Sequence, residues 1–378
     1  MPLPASIPLS EPFYDRRELD RVAEALTGRT AGDGPFCRRV EGRLAAQLGV
    51  RVLLTTSCTH ALELALLALG LTEGQEVVLP SFTFVSTANA VLRAGARPVL
   101  ADIEEQTLGL DPSDAETRVT PRTAALLPVH YAGIAAPMDG LLDLAGRHGL
   151  RVVEDAAQGI GAAFHGRPLG SLGDAGCLSF HETKNLSCGE GGALAIRDEA
   201  LALRAEVIRE KGTNRSAFLR GEVDKYTWVA EGSSYVLSDV LAALLDAQLD
   251  KQSEIEAARA RIAARYREAL SPWARAHGVR FGGEPPGRTP NHHIFYMLLP
   301  EAAAQRRCLA ALHARGIGAS FHYVPLHSSP FGQAAGLCRG QFPVTERVAS
   351  TLVRLPIHPR LSDAEVGRVV DAVHQSLD

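Results

Sequence analysis

Between residues 51 and 156 short apolar runs alternate with helical segments, and few folds accommodate this alternation. Each run is bounded by Gly, Pro or polar residues, as strands usually are. Apolar strands separated by helices are typical of a mostly parallel sheet that is covered on both faces. The predicted strands are VLLTT (52–56), EVVLP (76–80), RPVLAD (97–102), AALLPVH (124–130) and RVVEDA (151–156), with helices near 60–69, 84–94 and 138–148.

The pattern changes after this alternation. CLSF (177–180) and GALAI (192–196) lie too close together for a helical crossover, so we predict a hairpin within or beside the sheet. A helical pattern then covers 238–270 and either bridges two domains or is broken once; Pro272 is predicted to end it.

The remainder predicts a smaller α+β unit. Strands are expected at HHIFYMLL (292–299) and ASFHYVP (319–325), and helices near 301–315 and 345–354. A last helix is expected from Ser362, where a capping-box sequence begins.

Charge and hydropathy exclude some classes of partner. The 39 Lys and Arg against 43 Asp and Glu give a net charge of −4, so there is no basic excess for nucleic acid or an anionic membrane. The N-terminus lacks the basic and apolar regions of a signal peptide. The most apolar helix, from Ala61, is about half the roughly 20 residues that a membrane span requires. We therefore expect a cytoplasmic protein.

Three polar features point to one ligand. Asp155 ends an apolar strand, where open α/β sheets bind ligands, and Lys184 lies in a turn before a glycine cluster. TTSCTHALEL (55–64) places hydroxyls and backbone amides at a helix N-terminus, where phosphates bind. Each alone has an ordinary explanation, as an ion pair or an N-cap. Together they fit pyridoxal 5′-phosphate (PLP), which needs an anchored phosphate, a carboxylate at its ring nitrogen and a Schiff-base lysine.

Longer motifs around these residues resemble the DegT/DnrJ/EryC1/StrS sugar aminotransferases. The most specific are VVEDAAQ (152–158), SFHETKN (179–185) and GEGG (189–192). The resemblance extends from IPLSEP near the N-terminus to LPIHP in the last third. The branch containing the dTDP-4-amino-4,6-dideoxygalactose transaminases is the most similar, through LPVHYAG (127–133), EKGTNRS (210–216), DKYTW (224–228) and GSSY (232–235).

The resemblance implies an α/β protein of PLP-dependent fold type I, the aspartate aminotransferase-like fold. Residues 1–245 would form a large PLP-binding domain with an N-terminal arm, and 246–378 a small α+β domain with the linking helix. The implied reaction moves an amino group from L-glutamate to the 4-keto carbon of dTDP-4-dehydro-6-deoxy-D-glucose. The implied assembly is a homodimer with active sites at the subunit interface.

Roles for individual residues follow from the same resemblance. Lys184 would form the Schiff base and Asp155 would face the pyridine nitrogen, so these two are the catalytic residues. The other implied cofactor contacts are Gln158 at the ring 3-hydroxyl, Phe82 on the ring face, and Thr59, the His60 amide and Ser179 at the phosphate. The implied substrate contacts are Lys211, Asn214, Arg215, His322, Tyr323 and His327.

One loop departs from much of the family. Many members carry a GYNYR-like loop whose Asn reaches the cofactor phosphate across the dimer interface. Here the loop is GSSYV, so Ser234 takes the Asn position and Val236 the Arg position. Ser234 is therefore expected to contact the phosphate bound by the second subunit.

Other readings stay open or are excluded. GIGAAF (159–164) lacks the third glycine of a dinucleotide fingerprint, and Pro325 lies between His322 and His327, so neither an NAD site nor a metal site is predicted. A 3-aminotransferase or a dehydratase on a related keto-sugar remains an alternative, although dehydratase relatives replace the Schiff-base lysine with His. A non-catalytic sensor of the same fold is the second alternative. The face of amination, the nucleotide base and the pathway are left open.

Overall fold

The computed structural model describes residues 6–377. The strands are β1 Arg51–Thr55, β2 Glu76–Pro80, β3 Arg97–Ala101, β4 Thr123–Leu126, β5 Arg151–Ala156, β6 Ala163–Phe164, β7 Arg167–Pro168, β8 Ala175–Ser179, β9 Gly192–Ile196, β10 Arg280–Phe281, β11 Arg288–Thr289, β12 Phe295–Leu298 and β13 Leu352–Leu355. The helices are α1 Arg16–Leu26, α2 Pro35–Leu48, α3 Cys58–Leu69, α4 Val85–Arg93, α5 Pro112–Arg118, α6 Met138–His148, α7 Glu199–Arg209, α8 Arg215–Leu219, α9 Asp239–Asp250, α10 Gln252–Ala276, α11 Ala302–Ala314, α12 Pro330–Ala334, α13 Pro343–Thr351 and α14 Asp363–His374.

A seven-stranded sheet forms the larger part of the molecule. Its strand order is β1-β9-β8-β5-β4-β2-β3. The five strands from β8 to β3 pair in parallel, whereas β9 runs antiparallel to both of its neighbours. The prediction of a mostly parallel α/β sheet is confirmed, and so is the hairpin, which β8 and β9 form inside the sheet.

Both faces of this sheet are buried because successive side chains of a strand point to opposite sides. In β1, Leu53 packs in the cluster built on α3, and Leu54 packs in the cluster built on α2 and α9. Full burial of one leucine side chain contributes about 1.5–3 kcal/mol. The sheet therefore holds the carboxyl ends of its parallel strands at one edge, beside the start of α3.

Gly192 allows β9 to lie directly against that start. A Cβ atom at Gly192 would come within 2.4 Å of the Ser57 carbonyl carbon and 2.5 Å of the Cys58 nitrogen. Such a contact cannot be relieved by a side-chain movement, because both neighbours are backbone atoms. The glycine cluster thus brings the Lys184 turn and the N-terminus of α3 together.

A second sheet, β10-β12-β13, is antiparallel and packs against α10, α11 and α14. The predicted helices near 301–315 and from Ser362 are confirmed as α11 and α14. The strand predicted at 292–299 is shorter, since only β12 pairs. Residues 319–325 are not a strand; one bridge joins Ser320 to Arg354, and the following residues turn toward a cavity.

Two further predictions were wrong at their ends. The helix near 345–354 stops as α13, because Leu352 and Val353 are buried in β13 opposite β12. The long helical pattern is broken once, at Lys251, which is the second of the two predicted alternatives. Pro272 does not end it, because Trp273 and Ala274 are buried in the core and hold the last turn despite the lost hydrogen bond.

The predicted division between residues 245 and 246 falls inside α9, which packs on α1 and α2 beside the large sheet. That boundary stays a prediction. Within residues 6–377, no helix combines the length and the apolar character that crossing a membrane requires.

Candidate active site

One cavity of about 370 Å³ lies between the carboxyl ends of β5 and β8, the start of α3, and β13. Its size falls within the range of about 300–1,000 Å³ that is usual for small-molecule sites. The predicted site residues that line it are Thr59, Asp155, Gln158, Ser179, Lys184, His322 and Tyr323.

Asp155 is a buried carboxylate fixed at the end of β5. Its Oδ2 accepts a hydrogen bond from Thr87 Oγ1 at 2.8 Å, and its Oδ1 accepts one from the Ala157 amide at 3.1 Å. Burial raises the pKa of Asp155, while these two bonds and the charge of Lys184 act in the opposite direction. The carboxylate is therefore positioned to pair with a cationic group of a bound ligand.

Lys184 lies in a tight turn after β8, where its amide donates to the His181 carbonyl at 2.9 Å. Burial lowers the pKa of its amine, and the positive charge of Arg354 lowers it further, although Asp155 opposes this change. A lowered pKa increases the fraction of neutral, nucleophilic amine at neutral pH.

The N-terminus of α3 opens into the same cavity through Ser57, Cys58 and Thr59. Ser57 caps the helix, because its Oγ accepts from the His60 amide at 3.1 Å. The amides of the first helical residues have no acceptor within the helix and can bind an anion. The amide of His60 serves the cap, and the cavity is lined by the three preceding residues, so the phosphate contact of His60 stays a prediction.

Two predicted ring contacts have different outcomes. Gln158 lines the cavity, with its Oε1 fixed by the Ala132 amide at 2.6 Å and its Nε2 donating to Tyr323 Oη at 3.3 Å. Phe82 is fully buried behind the cavity, edge-on to the ring of Tyr323 at 5.3 Å. Phe84, the residue just before α4, is the phenylalanine that lines the cavity, so the prediction for Phe82 is corrected.

The histidines predicted to contact substrate separate. His322 lines the cavity and stacks on Tyr323 at 4.1 Å between ring centroids. His327 does not reach it, because Ser81 Oγ lies 2.7 Å from its Nδ1 and its ring stacks on Phe342. His327 instead fastens the 3₁₀ turn after residue 325 to the end of β2.

The polar residues of the 211–234 segment lie outside this cavity. Lys211 is exposed, and Arg215 pairs with Asp33 at 3.1 Å. Asn214 closes the segment on itself, donating to the Lys225 carbonyl at 3.0 Å and accepting from the Thr227 amide at 2.8 Å. Their substrate contacts stay predictions.

Ser234 is exposed and forms a β-bridge with Glu210. It is not among the residues that line the cavity of its own subunit. Its contact with a phosphate bound by a second subunit stays a prediction.

Sequence reasoning missed Arg354 and His293, which line the cavity from β13 and from the loop before β12. His293 Nδ1 donates to Asn185 Oδ1 at 2.9 Å, beside the Lys184 turn. A single Arg inside the apolar run LVRLP was the available signal for Arg354, since a charge within a buried strand needs a partner.

Comparison with known proteins identifies the family to which these features belong. Residues 12–374 match the DegT/DnrJ/EryC1/StrS aminotransferase family. The spore coat polysaccharide biosynthesis protein SpsC of Bacillus subtilis (strain 168) is 35% identical, over 97% of this chain and 96% of its own. The chain belongs to this aminotransferase family.

Two solved structures of the same fold agree with this assignment. TlmJ, an aminotransferase from Streptoalloteichus hindustanus, is 32% identical with a TM-score of 0.91 and covers 99% of both chains. DesV of S. venezuelae is 34% identical with a TM-score of 0.88, over 97% of this chain and 98% of its own. The protein is a PLP-dependent aminotransferase of fold type I, which confirms the predicted fold class and cofactor.

The cavity fits PLP on its own geometry. A buried carboxylate, a buried amine and the free amides of a helix N-terminus meet in one space, and these are the groups that the pyridine nitrogen, the aldehyde and the phosphate require. Asp155, Lys184 and the Ser57–Thr59 turn would hold those three parts, with Gln158 and Ser179 beside them. When bound, PLP supplies a carbonyl carbon for amine exchange and a sink for the electron pair that deprotonation releases.

Proposed function

We propose that the protein transfers the amino group of L-glutamate to the 4-keto carbon of dTDP-4-dehydro-6-deoxy-D-glucose, giving a dTDP-4-amino-4,6-dideoxy-hexose. The observation that carries the proposal is the meeting of Lys184, Asp155 and the His322–Tyr323 pair in one cavity. The choice of sugar is supported by the motifs at 210–216, 224–228 and 232–235, and SpsC, by its name, belongs to polysaccharide biosynthesis.

Lys184 is the base of the proposed reaction. Its amine lines the cavity and has a lowered pKa, so in neutral form it can accept the proton from the donor's α-carbon. The same amine then returns a proton to the carbon that receives the amino group. Asp155 stays ionised beside a cationic ring and favours that charge electrostatically.

Tyr323 and His322 provide the sugar-binding side. Burial raises the pKa of Tyr323 to about 12, so its hydroxyl stays protonated at neutral pH and can bond to a sugar oxygen. Burial lowers the pKa of His322 to about 2, so the imidazole is neutral. Two uncharged polar groups can form hydrogen bonds with the oxygens of a sugar ring.

A homodimer is part of the proposal. Residues 218–234 are exposed without interruption, and they include Tyr226 and Trp228, the latter with 76% of its surface accessible. Large exposed aromatic side chains are typical of protein interfaces. We infer that this segment packs on a second subunit and brings Ser234, Lys211 and Arg215 toward the partner's cavity. The predicted cytoplasmic location stays a prediction.

The test is a defined reaction. Purified protein, PLP and L-glutamate are mixed with dTDP-4-dehydro-6-deoxy-D-glucose, and NMR determines which carbon is aminated and in which configuration. Nitrogen at carbon 4 with equimolar 2-oxoglutarate supports the proposal. Nitrogen at carbon 3 would favour a 3-aminotransferase, and loss of water without 2-oxoglutarate would favour a dehydratase.

Lys184→Ala is the matched control. It should remove turnover, because general acid–base help alone is worth about 10²–10⁴-fold. It should also remove the absorbance of the lysine-bound cofactor and leave the fold intact. Thermal unfolding checks the fold. Near-normal turnover in Lys184→Ala would contradict the assignment of this lysine. If the wild-type protein shows the absorbance of the lysine-bound cofactor but forms no aminated sugar, a sensor would be favoured.

A further inference from the structure

Asp155 is reached by a chain of two buried threonine hydroxyls. Thr87, in the first turn of α4, donates from its Oγ1 to Asp155 Oδ2 at 2.8 Å. Thr83, in the loop between β2 and α4, places its own Oγ1 2.7 Å from that of Thr87. Thr87 is fully buried, and Thr83 is nearly so at the wall of the active cavity. The two hydroxyls therefore connect the loop after β2 with the carboxylate at the end of β5.

The protons of this chain have one possible order when Asp155 is ionised. A carboxylate only accepts hydrogen bonds, and a hydroxyl has a single proton to donate. The proton of Thr87 is committed to Asp155, so Thr83 must donate the bond between the two threonines. Hydrogen bonds that all point the same way polarise one another. The chain therefore stabilises the ionised form of the carboxylate.

The bond from Thr87 acts against the effect of burial. Burial raises the pKa of Asp155. Among the interactions that lower this pKa, the hydrogen bond from Thr87 is the strongest, ahead of the Ala157 amide and the charge of Lys184. Within residues 6–377, no other side chain donates a hydrogen bond to Asp155. The charge of this carboxylate therefore depends on one threonine.

The molecule contains a second buried threonine–aspartate bond, which lies away from the cavity. Thr345 Oγ1, on α13, donates to Asp102 Oδ1 at 2.7 Å, and neither residue is among those that line the active cavity. Asp102 also accepts from the amides of Val344 and Thr345 at the start of α13. This pair has the same chemistry without a ligand beside it, so it separates an effect on the cofactor from an effect on packing.

We propose that Thr87, oriented by Thr83, is a positioning residue that keeps the proton shared by Asp155 and the pyridine nitrogen of PLP on the nitrogen. Without the bond from Thr87 the carboxylate is a stronger base and takes a larger share of that proton, which leaves a neutral ring that accepts electrons less well. A hydrogen bond to a charged group is worth about 10- to 100-fold in an equilibrium constant. The inference rests on Asp155 facing the ring nitrogen but not on which sugar is aminated.

The test measures where the proton lies. Holoenzyme is prepared with PLP that carries ¹⁵N in its ring, and NMR records the ¹⁵N chemical shift, which differs between a protonated and a neutral pyridine. Wild type supplies the protonated reference, and Asp155→Asn, which has no charge to offer, supplies the neutral one. We expect Thr87→Val, which keeps the shape of the side chain, to move the shift toward the neutral reference. Thr87→Ser should restore the wild-type shift, because it restores the hydroxyl.

All variants are compared at one neutral pH, so that the other titratable groups near Asp155 keep the same charge. These groups are Lys184 in the turn after β8, His130 after β4, Cys58 on α3, Cys177 on β8 and Tyr323.

Cofactor affinity and turnover give two further readouts. Thr87→Val should raise the dissociation constant of PLP and lower kcat, each by about tenfold or more, because the ring loses part of its charge pair. Thr83→Val should cause a smaller change in the same direction, because Thr87 keeps its bond to Asp155 but loses the group that orients it. Thr83→Val also reports the ¹⁵N shift if Thr87→Val fails to retain PLP.

Thr345→Val is the matched control. It removes one buried bond to a carboxylate, as Thr87→Val does, so both variants should unfold at a lower urea concentration than wild type in the cofactor-free state. Thr345→Val should nevertheless keep the wild-type ¹⁵N shift and PLP affinity, since neither Thr345 nor Asp102 lines the cavity.

Each outcome decides the inference. An unchanged ¹⁵N shift in Thr87→Val would overturn it, and so would an equal change in Thr345→Val, because the change would then follow from lower stability. If Asp155→Asn leaves the shift unchanged, another group holds the ring nitrogen and the inference fails together with the assignment of Asp155. Enzyme that shows the expected shifts but aminates no sugar would support the inference and refute the proposed substrate.

Discussion

Asp155 alone supplies the negative charge that is expected to face the protonated ring nitrogen of PLP. Asp155→Asn keeps the size of the side chain but removes the charge that a protonated ring needs. Losing one preorganised electrostatic contact usually costs about 10²–10³-fold in kcat. We therefore expect a decrease of that size with PLP still attached to Lys184, measured as kcat and as the absorbance of the bound cofactor.

The exposed carboxylate of Asp139, which lies near His165, provides the matched control for that substitution. Asp139→Asn should leave kcat unchanged. An Asp155→Asn enzyme within tenfold of wild type would mean that another group holds the ring nitrogen.

Phe82 and Phe84 allow the ring contact to be tested by a pair of substitutions. Phe84→Ala should weaken retention of PLP with little effect on unfolding, since its side chain is 58% exposed and lines the cavity. Phe82→Ala should instead cost about 3–5 kcal/mol of stability, because its ring is fully buried. Urea unfolding of the cofactor-free proteins and PLP retention on dialysis check both, and the reverse pattern would restore Phe82 as the stacking residue.

Among the elements, the parallel strands could be predicted from sequence because each is a short apolar run between turn residues. β2, for example, was predicted at its observed bounds. The conformations of the segments at 319–325 and after Pro272 could not be predicted from sequence, since they depend on contacts with distant residues. The first faces a cavity instead of a neighbouring strand, and the second is held by burial of Trp273.

Helix α10 is tied to the Lys184 turn by one buried arginine. Arg259 Nε donates to Asn185 Oδ1 at 2.9 Å, and its Nη1 donates to the Ile357 carbonyl at 2.7 Å. Arg259→Met removes both bonds, which leaves the Ile357 carbonyl without this donor and Asn185 Oδ1 with only its bond from His293. Because the substitution also removes a buried charge, we expect a net loss of about 1–3 kcal/mol. A slower kcat should accompany it, because Asn185 adjoins Lys184.

Arg261, which is exposed on the same helix, is the comparison for this test. Arg261→Met should unfold at the same urea concentration as wild type and keep its kcat. If Arg259→Met behaves in the same way, α10 does not hold the lysine turn.

At the scale of the whole molecule, the site combines residues that sequence motifs predict with residues that they do not. Asp155 and Lys184 stand in recognisable motifs within one sheet. Arg354 reaches the same cavity from β13 and His293 from the loop before β12, after a long separation along the chain, so their place in the site depends on how the two sheets pack. Ser234 is a different case, because the sequence indicates it but its proposed ligand lies in another subunit.

Subunit complementation tests that last assignment. Chains carrying Lys184→Ala and chains carrying Ser234→Glu, which places a carboxylate at the proposed phosphate contact, are co-expressed with different tags, and the mixed dimer is isolated. If Ser234 completes the partner's site, one site of the mixed dimer has both defects and the other has none. A twofold-symmetric dimer would then show about half of the wild-type activity, although each variant alone is inactive. A mixed dimer without activity would place Ser234 in the same site as the Lys184 of its own chain, and a chain that elutes as a monomer would remove the interface from the proposal.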